Sequence, residues 1–322
     1  MVLERLTCLD WRGLSEERVA PLYAAEAERW ASVLDWESAA NWEEIERGRR
    51  LGTVSGLVVT NEQDAIIGWS YYLVHHRALQ IGGLVAANDA ATDLMLDAIL
   101  NDRVLSSVAS IIVFAFDNTP ALGPALRRRG LTVDRYWYLG STVNRPVPPP
   151  FPDVRPWRFD DTRSTAELLA AAYGGPDEAR PFAPHGTLDE WQEYVSQLTR
   201  GTGCGTLLRE ACLCLSGGPN RLLGVALLTR VASTTGHVAQ LAIHPQVQGR
   251  RLGGQLLEAA RAAAGAAGCR RVTLFVGGRN SPARRLYESA RFEAMASFLA
   301  AGTFQPRRFT SVAPGGIIMT RR

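Results

Sequence analysis

The sequence predicts an α/β (α+β) protein of two tandem domains, each with a mixed central sheet flanked by helices. Three observations lead to this prediction. The chain has 322 residues, 46% of them apolar, which is enough for two domains with separate cores. Five prolines fall within residues 144–153, and such a segment forms neither a helix nor a central strand. Helix-like and strand-like segments follow one another in a similar order on both sides of it.

The proline-rich segment sets the predicted domain boundaries. We expect a first domain over residues 1–146, a linker over 147–152 and a second domain over 153–322. Apolar periodicity and turn signals assign the elements of the second domain. In chain order these are a strand at 154–161, helices at 162–175 and 187–201, strands in "GTLLREACLCLS" and "RLLGVALLTRVA", a strand at 237–245, a helix at 250–267, a strand in "RRVTLFVGG" and a helix in "SPARRLYESARF".

Local signals mark where several of these helices begin and end. Thr187 and Glu190 are spaced as a capping box at the start of the second helix. Gly268 follows the long helix at 250–267, where a glycine commonly ends a helix. Pro282 stands in the first turn of the last helix, where the missing N–H is not needed.

The first half repeats this order with weaker signals. Its predicted elements are helices at 15–31 and 39–52, the hairpin "SGLVVTNEQDAIIGWSYYLV", the strand "ALQIGGLVA", a helix near 91–104, the strand "SIIVFAF", a helix ending in "ALRRRGL" and the strand "TVDRYWYLGSTV".

Composition argues against several classes of protein. The net charge is only +3, and the basic residues, all of them arginine, are interspersed, so no nucleic-acid partner is expected. The longest apolar runs, such as residues 109–116, are too short to cross a bilayer, and the amino terminus does not look like a signal peptide. We therefore expect a cytoplasmic protein without a membrane partner, either a monomer or a homodimer. Five scattered cysteines predict neither a disulfide framework nor a metal site.

The stretch "QVQGRRLGGQLL" is typical of an anion site where a strand gives way to a helix. A helix N-terminus carries unpaired N–H groups and a partial positive charge. Neighbouring glycines let a ligand approach the backbone, and adjacent arginines add positive charge. A pyrophosphate fits such a seat well. A plain tight turn would explain the glycines, but not Gln248, Arg250 and Arg251.

Here the sequence resembles the GNAT superfamily of acetyl-CoA-dependent N-acetyltransferases. The family's pyrophosphate loop reads Gln/Arg-x-x-Gly-x-Gly/Ala, and Arg251 stands where a glycine is usual. A backbone N–H can bind a phosphate without glycine at that position unless φ is positive, so we expect the N–H of Arg251 to bind the pyrophosphate. The family's second motif reads Asn-x-x-Ala-x-x-x-Tyr-x-x-x-Gly-Phe, and this chain resembles it at Asn280, Ala283, Tyr287 and Phe292. Arg291 stands in place of the motif's glycine, so we expect a different cap at the end of this helix. Tandem members of the family have a similar length and layout.

The resemblance implies a role for each matching residue. The strand residues Leu241, Ala242 and Ile243 are expected to pair with the pantetheine arm of acetyl-CoA. Asn280 is expected to bond the cofactor, with Ala283 beside it, and Tyr287 to protonate the departing thiolate. The residues expected to hold the pyrophosphate are Gln248, Gly249, Arg250, Arg251, Leu252, Gly253 and Gly254.

The base of the expected site belongs to neither motif. An amine with a pKa of about 10.4 must lose a proton at pH 7, at a cost of about 4–5 kcal/mol. Several relatives carry a glutamate at the position of His237, whose neutral imidazole would suit a base. A solvated histidine at a strand start, with a water chain as the base, is the alternative. His244 is a weaker candidate.

The first half lacks both motifs, and Leu126 stands where Tyr287 stands in the second half. We therefore predict a degenerate first domain without turnover, and expect the second domain alone to bind acetyl-CoA. The leading hypothesis is an N-acetyltransferase that acetylates a small-molecule amine by direct transfer in a ternary complex. No cysteine occupies a motif position, which disfavours a covalent acetyl-cysteine route. The alternative function is a non-catalytic acetyl-CoA sensor or interaction module.

The acceptor is expected near the first two helices and the last hairpin of the second domain. In this sequence those regions are residues 173–187 and 298–311. Asp177 and Glu178 could attract a cationic amine, or could be ordinary loop charges. Trp191 and Tyr194 either line the cleft or belong to the core.

Overall fold

The computed structural model describes residues 5–75, 78–102, 108, 110–143, 153–173, 182–183, 186–201 and 204–303. The predicted linker at 147–152 lies outside these residues, so the predicted domain boundary stays a prediction. Within the described part, contacts divide the chain into two compact units. The first contains the described residues up to Tyr136 together with residues 297–303, and the second contains Trp137 to Ala296.

The first unit contains a mixed β-sheet, with both antiparallel and parallel strand pairs, covered by helices. Its strands lie in the order β1-β2-β3-β4-β5, and residues 298–302 of the last strand pair antiparallel with β5. A buried aliphatic core packs α3 and α4 against this sheet. The elements are β1 (Thr7–Asp10), α1 (Glu16–Arg29), a π-helical turn (Trp30–Leu34), α2 (Ala39–Arg50), β2 (Ser55–Thr60), β3 (Ile66–His75), β4 (Ala78–Ala86), α3 (Asp89–Leu100), β5 (Ser110–Phe116), α4 (Leu122–Arg128) and β6 (Leu131–Thr142).

The second unit repeats this architecture. Its strands lie in the order β12-β11-β10-β9-β7, with β8 paired to β10 and β6 beside β12. Leucines and alanines of α7 pack on the sheet together with Tyr287 and Phe292. The elements are β7 (Val154–Pro156), α5 (Thr162–Ala172), α6 (Leu188–Thr199), β8 (Thr206–Leu207), β9 (Leu213–Ser216), β10 (Leu222–Ala232), β11 (Thr235–Ile243), α7 (Leu252–Ala266), β12 (Arg271–Gly277), α8 (Ser281–Ser289) and β13 (Glu293–Thr303).

These observations confirm the predicted fold class of mixed sheets flanked by helices. Several element bounds differ from the predicted ones. The strand predicted at 154–161 ends at Pro156, because Asp161 turns back to accept hydrogen bonds from Arg155 and from the backbone N–H of Arg158. The capping box of Thr187 and Glu190 is present as predicted at the start of α6.

The last strand belongs to the first unit over much of its length. Residues from Phe298 to Gly302 pair with β5, from Phe116 to Ile112. Phe298 is fully buried, and its ring stacks on Phe114 with a centroid distance of 4.7 Å. Residues far apart in sequence therefore complete the sheet of the first unit.

No helix among the described residues is long and apolar enough to cross a membrane.

Candidate functional site

The second unit has an opening between two parallel strands. β11 and β12 pair in parallel only from Thr235 to Val238, whereas β11 stays paired with β10 as far as Ile243. Ala239 is an extra residue in β11, a β-bulge between the pairs Val238–Leu228 and Gln240–Leu227. Beyond the bulge, the described part of the chain gives β11 a strand partner on one side only. Leu241, Ala242 and Ile243 therefore lie on an open sheet edge, which can pair with an extended polar ligand.

A helix N-terminus lies at the end of this open edge. Arg251 is the N-cap of α7, and its side chain makes no capping hydrogen bond. The first turn contains no acidic residue. The first helical bond runs from Gln255 N to Arg251 O, so the N–H groups of the preceding turn have no acceptor within the helix. Arg250 and Arg251 are exposed. Bare amides, the helix dipole and two guanidinium groups are features that favour the binding of an anion.

Arg251 adopts the backbone conformation of the glycine that it replaces. Its φ is +62° and its ψ is 10°, in the left-handed region, and Gly249 nearby has a φ of +78°. The backbone φ at Arg251 is therefore positive, which is the case in which glycine is favoured over other residues. The left-handed conformation costs an L-residue about 1–2 kcal/mol, so Arg251 holds local strain.

The other loop residues connect this helix to β11 and α8. Gln248 Nε2 donates a hydrogen bond to Ile243 O at 2.9 Å, which ties the loop to the strand end. A Cβ added at Gly253 would lie 3.5 Å from Ile243 Cγ1, an ordinary contact distance. At Gly254 it would lie 3.4 Å from Leu286 Cδ1. The structure thus brings β11, the loop and α8 together.

The end of α8 fixes the position of Tyr287. Arg291 has a φ of +59°; its N–H donates to Glu288 O, and the N–H of Phe292 donates to Tyr287 O. These two bonds form a Schellman motif, and the expected ring contact between Tyr287 and Phe292 is present at 5.7 Å. The expectation of a different helix cap is therefore wrong: arginine takes the conformation that glycine usually takes.

Tyr287 has a buried ring and a hydroxyl that bonds none of the residues the structure describes. The residue is 8% exposed, and burial raises the pKa of its phenol to about 12. None of the described residues forms a hydrogen bond with the Tyr287 hydroxyl. The fully buried side-chain polar atoms without a partner in the described part of the chain are Thr229 Oγ1 and Arg261 Nε. The side chain is thus held by packing, and its phenol stays protonated at neutral pH.

Asn280 has a structural role that the sequence motif did not reveal. It is the N-cap of α8, and its Oδ1 accepts a hydrogen bond from Ala283 N at 3.1 Å. The spacing of Asn280 and Ala283 in the motif therefore corresponds to a helix cap. A cofactor bond from Asn280 stays a prediction, and the side-chain Nδ2 would be its donor.

His237 lies in the closed part of the strand pair, not at the opening. It is 2% exposed, and its Nδ1 lies 3.0 Å from Thr273 Oγ1, which also accepts from Tyr138 OH at 2.8 Å. The imidazole stacks on Tyr138 and contacts Phe275 edge-on. Burial lowers the pKa of His237 to about 3. Its role as base stays a prediction, and this environment makes the imidazole a weak proton acceptor.

Gln240, which the sequence analysis missed, lies immediately after the bulge. It is 3% exposed, its Oε1 accepts from Tyr173 OH at 2.7 Å, and its Nε2 donates to Tyr194 OH at 2.6 Å. The available signal was a single amide in the otherwise apolar "VAQLAI". Trp191, at 1% exposure, belongs to the core, whereas Tyr194 is half-buried. Asp177 and Glu178 lie outside the described residues, as does the region beyond residue 303.

The cysteines lie in environments that suppress thiolate formation. Burial raises the pKa of Cys212 and Cys214 to about 11 and that of Cys204 to about 12. His244 Nδ1 accepts from Gln246 N, so this histidine caps the turn that follows β11. No group of three metal-ligating side chains occurs in the part of the chain that the structure describes.

The first unit has the same opening but a different helix start. β4 and β5 pair in parallel from Ala78 to Ile81, and Gly83 forms the bulge. At the N-terminus of α3, however, Asn88 Oδ1 accepts from Ala91 N at 2.9 Å, and the carboxylate of Asp89 stands in the first turn. A capped N-terminus with a negative charge disfavours a bound anion. Leu126, the counterpart of Tyr287, is fully buried.

A bare helix N-terminus beside an open strand edge is an arrangement in an α/β fold that suits an elongated anionic ligand. Residues 166–292 match the family model described as Acetyltransferase (GNAT) family. This stretch contains the open edge of β11, the loop and α8, so the match to a GNAT acetyltransferase domain lies within the second unit. The resemblance noted from the two motifs is thereby confirmed.

Solved structures share the fold over nearly the whole chain. A GCN5-related N-acetyltransferase from Sphaerobacter thermophilus has a TM-score of 0.65 at 16% identity, covering 94% of this chain and 96% of its own. A tandem GNAT protein from the clavulanic acid biosynthesis pathway has a TM-score of 0.53 at 11% identity, covering 93% and 98%. A putative acetyltransferase from Pyrococcus horikoshii has a TM-score of 0.53 at 12% identity, and the match covers 98% of each chain. No curated protein sequence matches this chain significantly.

Proposed function

We propose that the second unit is an N-acetyltransferase that transfers the acetyl group of acetyl-CoA to the amine of a small molecule. The transfer is direct, in a ternary complex. The observation that carries this proposal is the uncapped N-terminus of α7 at the end of the open edge of β11, within a GNAT acetyltransferase domain. The cytoplasmic location, the oligomeric state and the expected lack of nucleic-acid and membrane partners stay predictions from the sequence.

The residues present fit coenzyme A. The amides at the start of α7 and the guanidinium groups of Arg250 and Arg251 suit the pyrophosphate, and the edge of β11 from Leu241 to Ile243 suits the amide-containing pantetheine arm. Ile243 O already accepts from Gln248 Nε2, so the remaining backbone groups of that edge would supply the pairing. When bound, acetyl-CoA supplies an activated acetyl thioester.

The chain's own groups handle the protons. Tyr287 donates its phenolic proton to the departing sulfur, and its raised pKa keeps that proton in place at neutral pH. A water chain removes the proton of the amine, because the buried His237 has a pKa of about 3 and is a poor acceptor. The high pKa values of the buried cysteines support direct transfer over an acetyl-cysteine.

The first unit is proposed to be a degenerate copy that does not turn over. Asn88 and Asp89 occupy the helix start where an anion would bind, and Leu126 offers no proton. Its contribution to the protein would then be packing and shaping rather than chemistry.

The test uses the full chain, because the first unit includes residues 297–303 and cutting at the linker would remove a strand from its sheet. Gly253→Asp places a carboxylate in the first turn of α7, much as Asp89 does in α3. The added Cβ has room at 3.5 Å from its neighbours, and the helix dipole favours the charge. We expect acetyl-CoA affinity to fall at least about 30-fold by calorimetry, since like charges near 4 Å interact by a few kcal/mol.

Gly253→Asn, with the same shape and no charge, is the matched control: it shares any steric cost of the added side chain, and it should bind acetyl-CoA about 30-fold more tightly than Gly253→Asp. Equal affinity in the two variants would contradict the proposed anion seat. Release of free thiol in the presence of an amine, lost in Tyr287→Phe, separates the enzyme from a non-catalytic acetyl-CoA sensor, which would bind without turnover.

A further inference from the structure

An aromatic cluster lies against β11 on the side of α5 and α6. It consists of Tyr173, Phe182, Trp191 and Tyr194, and the ring centroids of the five contacting pairs are 4.9–6.1 Å apart. Tyr173 ends α5, Trp191 and Tyr194 stand one turn apart on α6, and Phe182 comes from the segment between these helices. The four rings form one contiguous cluster, because Phe182 and Trp191 each contact the other three rings.

The cluster is accessible in part. Trp191 is almost completely buried and forms its base, whereas Tyr173, Phe182 and Tyr194 are half-buried. Such a surface adds attraction for a further aromatic ring beyond the burial of apolar area.

Gln240 joins this surface to the opening between β11 and β12. The buried amide accepts from Tyr173 OH and donates to Tyr194 OH, and Gln240 directly follows the bulge at Ala239. The oxygen of Tyr194 is therefore engaged as an acceptor, while its own proton has no acceptor among the described residues. The rings are thus held beside the strand that we propose lines the thioester, with one hydroxyl proton left for a ligand.

We propose that this cluster binds the acetyl acceptor and that the acceptor is an amine carrying an aromatic ring. The inference rests on the proposed function, whose acceptor class it specifies. The ring of the acceptor packs edge-to-face among Phe182, Tyr173 and Tyr194, and the π faces also attract the ammonium group before it loses its proton. The Tyr194 hydroxyl donates to a polar substituent of the acceptor.

The test compares two amines that share the linker and the amino group. 2-Phenylethylamine carries a flat aromatic ring, and 2-cyclohexylethylamine carries a saturated ring of similar size. We expect the full-length protein to bind the aromatic amine about five- to tenfold more tightly in calorimetry, and to show the same preference in kcat/KM by thiol release.

Variants assign this preference to the cluster. Phe182→Leu should reduce it to about twofold or less, whereas Tyr194→Phe keeps the ring and should retain it. Phe159→Leu is the matched control, since Phe159 is an exposed aromatic residue of the same unit that contacts Trp157 and Arg209. This control should behave as the wild type.

Equal binding of the two amines, no binding of either, or an unchanged preference in Phe182→Leu overturns the proposal. Failure of the proposed function has a different signature: the aromatic amine would still bind selectively, but no amine would release thiol from acetyl-CoA.

Discussion

His237 should make the stability of the protein depend on pH between about 6.5 and 3. The imidazole is 2% exposed and packed between Tyr138 and Phe275, which lowers its pKa from the ordinary 6.5 to about 3. The folded state therefore holds this histidine neutral at pH values where the unfolded chain binds a proton. Stability from this group is fully present above pH 6.5 and is lost as the pH falls toward 3.

The magnitude follows from the two pKa values. Each pH unit below 6.5 removes about 1.4 kcal/mol from the free energy of unfolding. At pH 5 the loss from His237 alone is thus about 2 kcal/mol, a large part of the stability of an ordinary domain. His237→Gln removes the titrating group and retains a polar atom for Thr273, so it should lack this part of the acid sensitivity.

The assay is urea unfolding at pH 7.5 and pH 5, with the difference in unfolding free energy compared between proteins. Tyr138→Phe is the matched control, because it removes a hydrogen bond to Thr273 but leaves the imidazole buried. Tyr138→Phe should show the same loss of unfolding free energy between pH 7.5 and pH 5 as the wild type, whereas in His237→Gln this loss should be smaller by about 2 kcal/mol. Identical differences in wild type and His237→Gln would show that His237 is not held neutral by burial. If His237 nevertheless acts as the base, the acidic limb of kcat/KM should lie near pH 3 rather than near 6.5.

Three further predictions concern other parts of the fold. Tyr287→Phe should lower kcat about 100-fold or more and leave the melting temperature within about 2 °C, because the ring packs on Phe292 while the hydroxyl bonds none of the described residues; a kcat within threefold of wild type would exclude the proton donor. Arg291→Gly should stabilise the second unit by about 1 kcal/mol in urea titrations, since glycine adopts a φ of +59° without strain, and a destabilised variant would refute the strain at this cap. A chain truncated after Ala296 should lose the cooperative unfolding of the first unit, because β5 loses its pairing with residues 298–302; native-like near-ultraviolet circular dichroism would contradict this.

The motif residues of the candidate site were accessible from the sequence because local chemistry sets their structure. A strand, a glycine- and arginine-containing turn and an amphipathic helix follow from residues that are neighbours in the chain. The start of α7 and the position of Tyr287 on α8 appear where the two motifs placed them. Whether these residues perform the proposed chemistry is a matter for the experiments above.

The backbone conformation of the two arginines could not be read from the sequence. Glycine at these positions would have predicted a left-handed backbone conformation, whereas arginine normally avoids the left-handed region. Arg251 and Arg291 are left-handed because the turns around them are fixed by hydrogen bonds such as that from Phe292 N to Tyr287 O, which offset the local cost.

The sequence by itself determined the class of fold, the order of its elements and the position of the helix start at α7, because periodicity, turn chemistry and helix-terminus signals act over a few residues. Only the tertiary structure decided that His237 is buried rather than exposed, that Gln240 holds two tyrosines, and that the last strand completes the sheet of the first unit. Burial and strand pairing depend on residues that are distant in the sequence, such as Tyr138, 99 positions before His237, and Phe114, 184 positions before Phe298. No local pattern in the chain encodes such contacts.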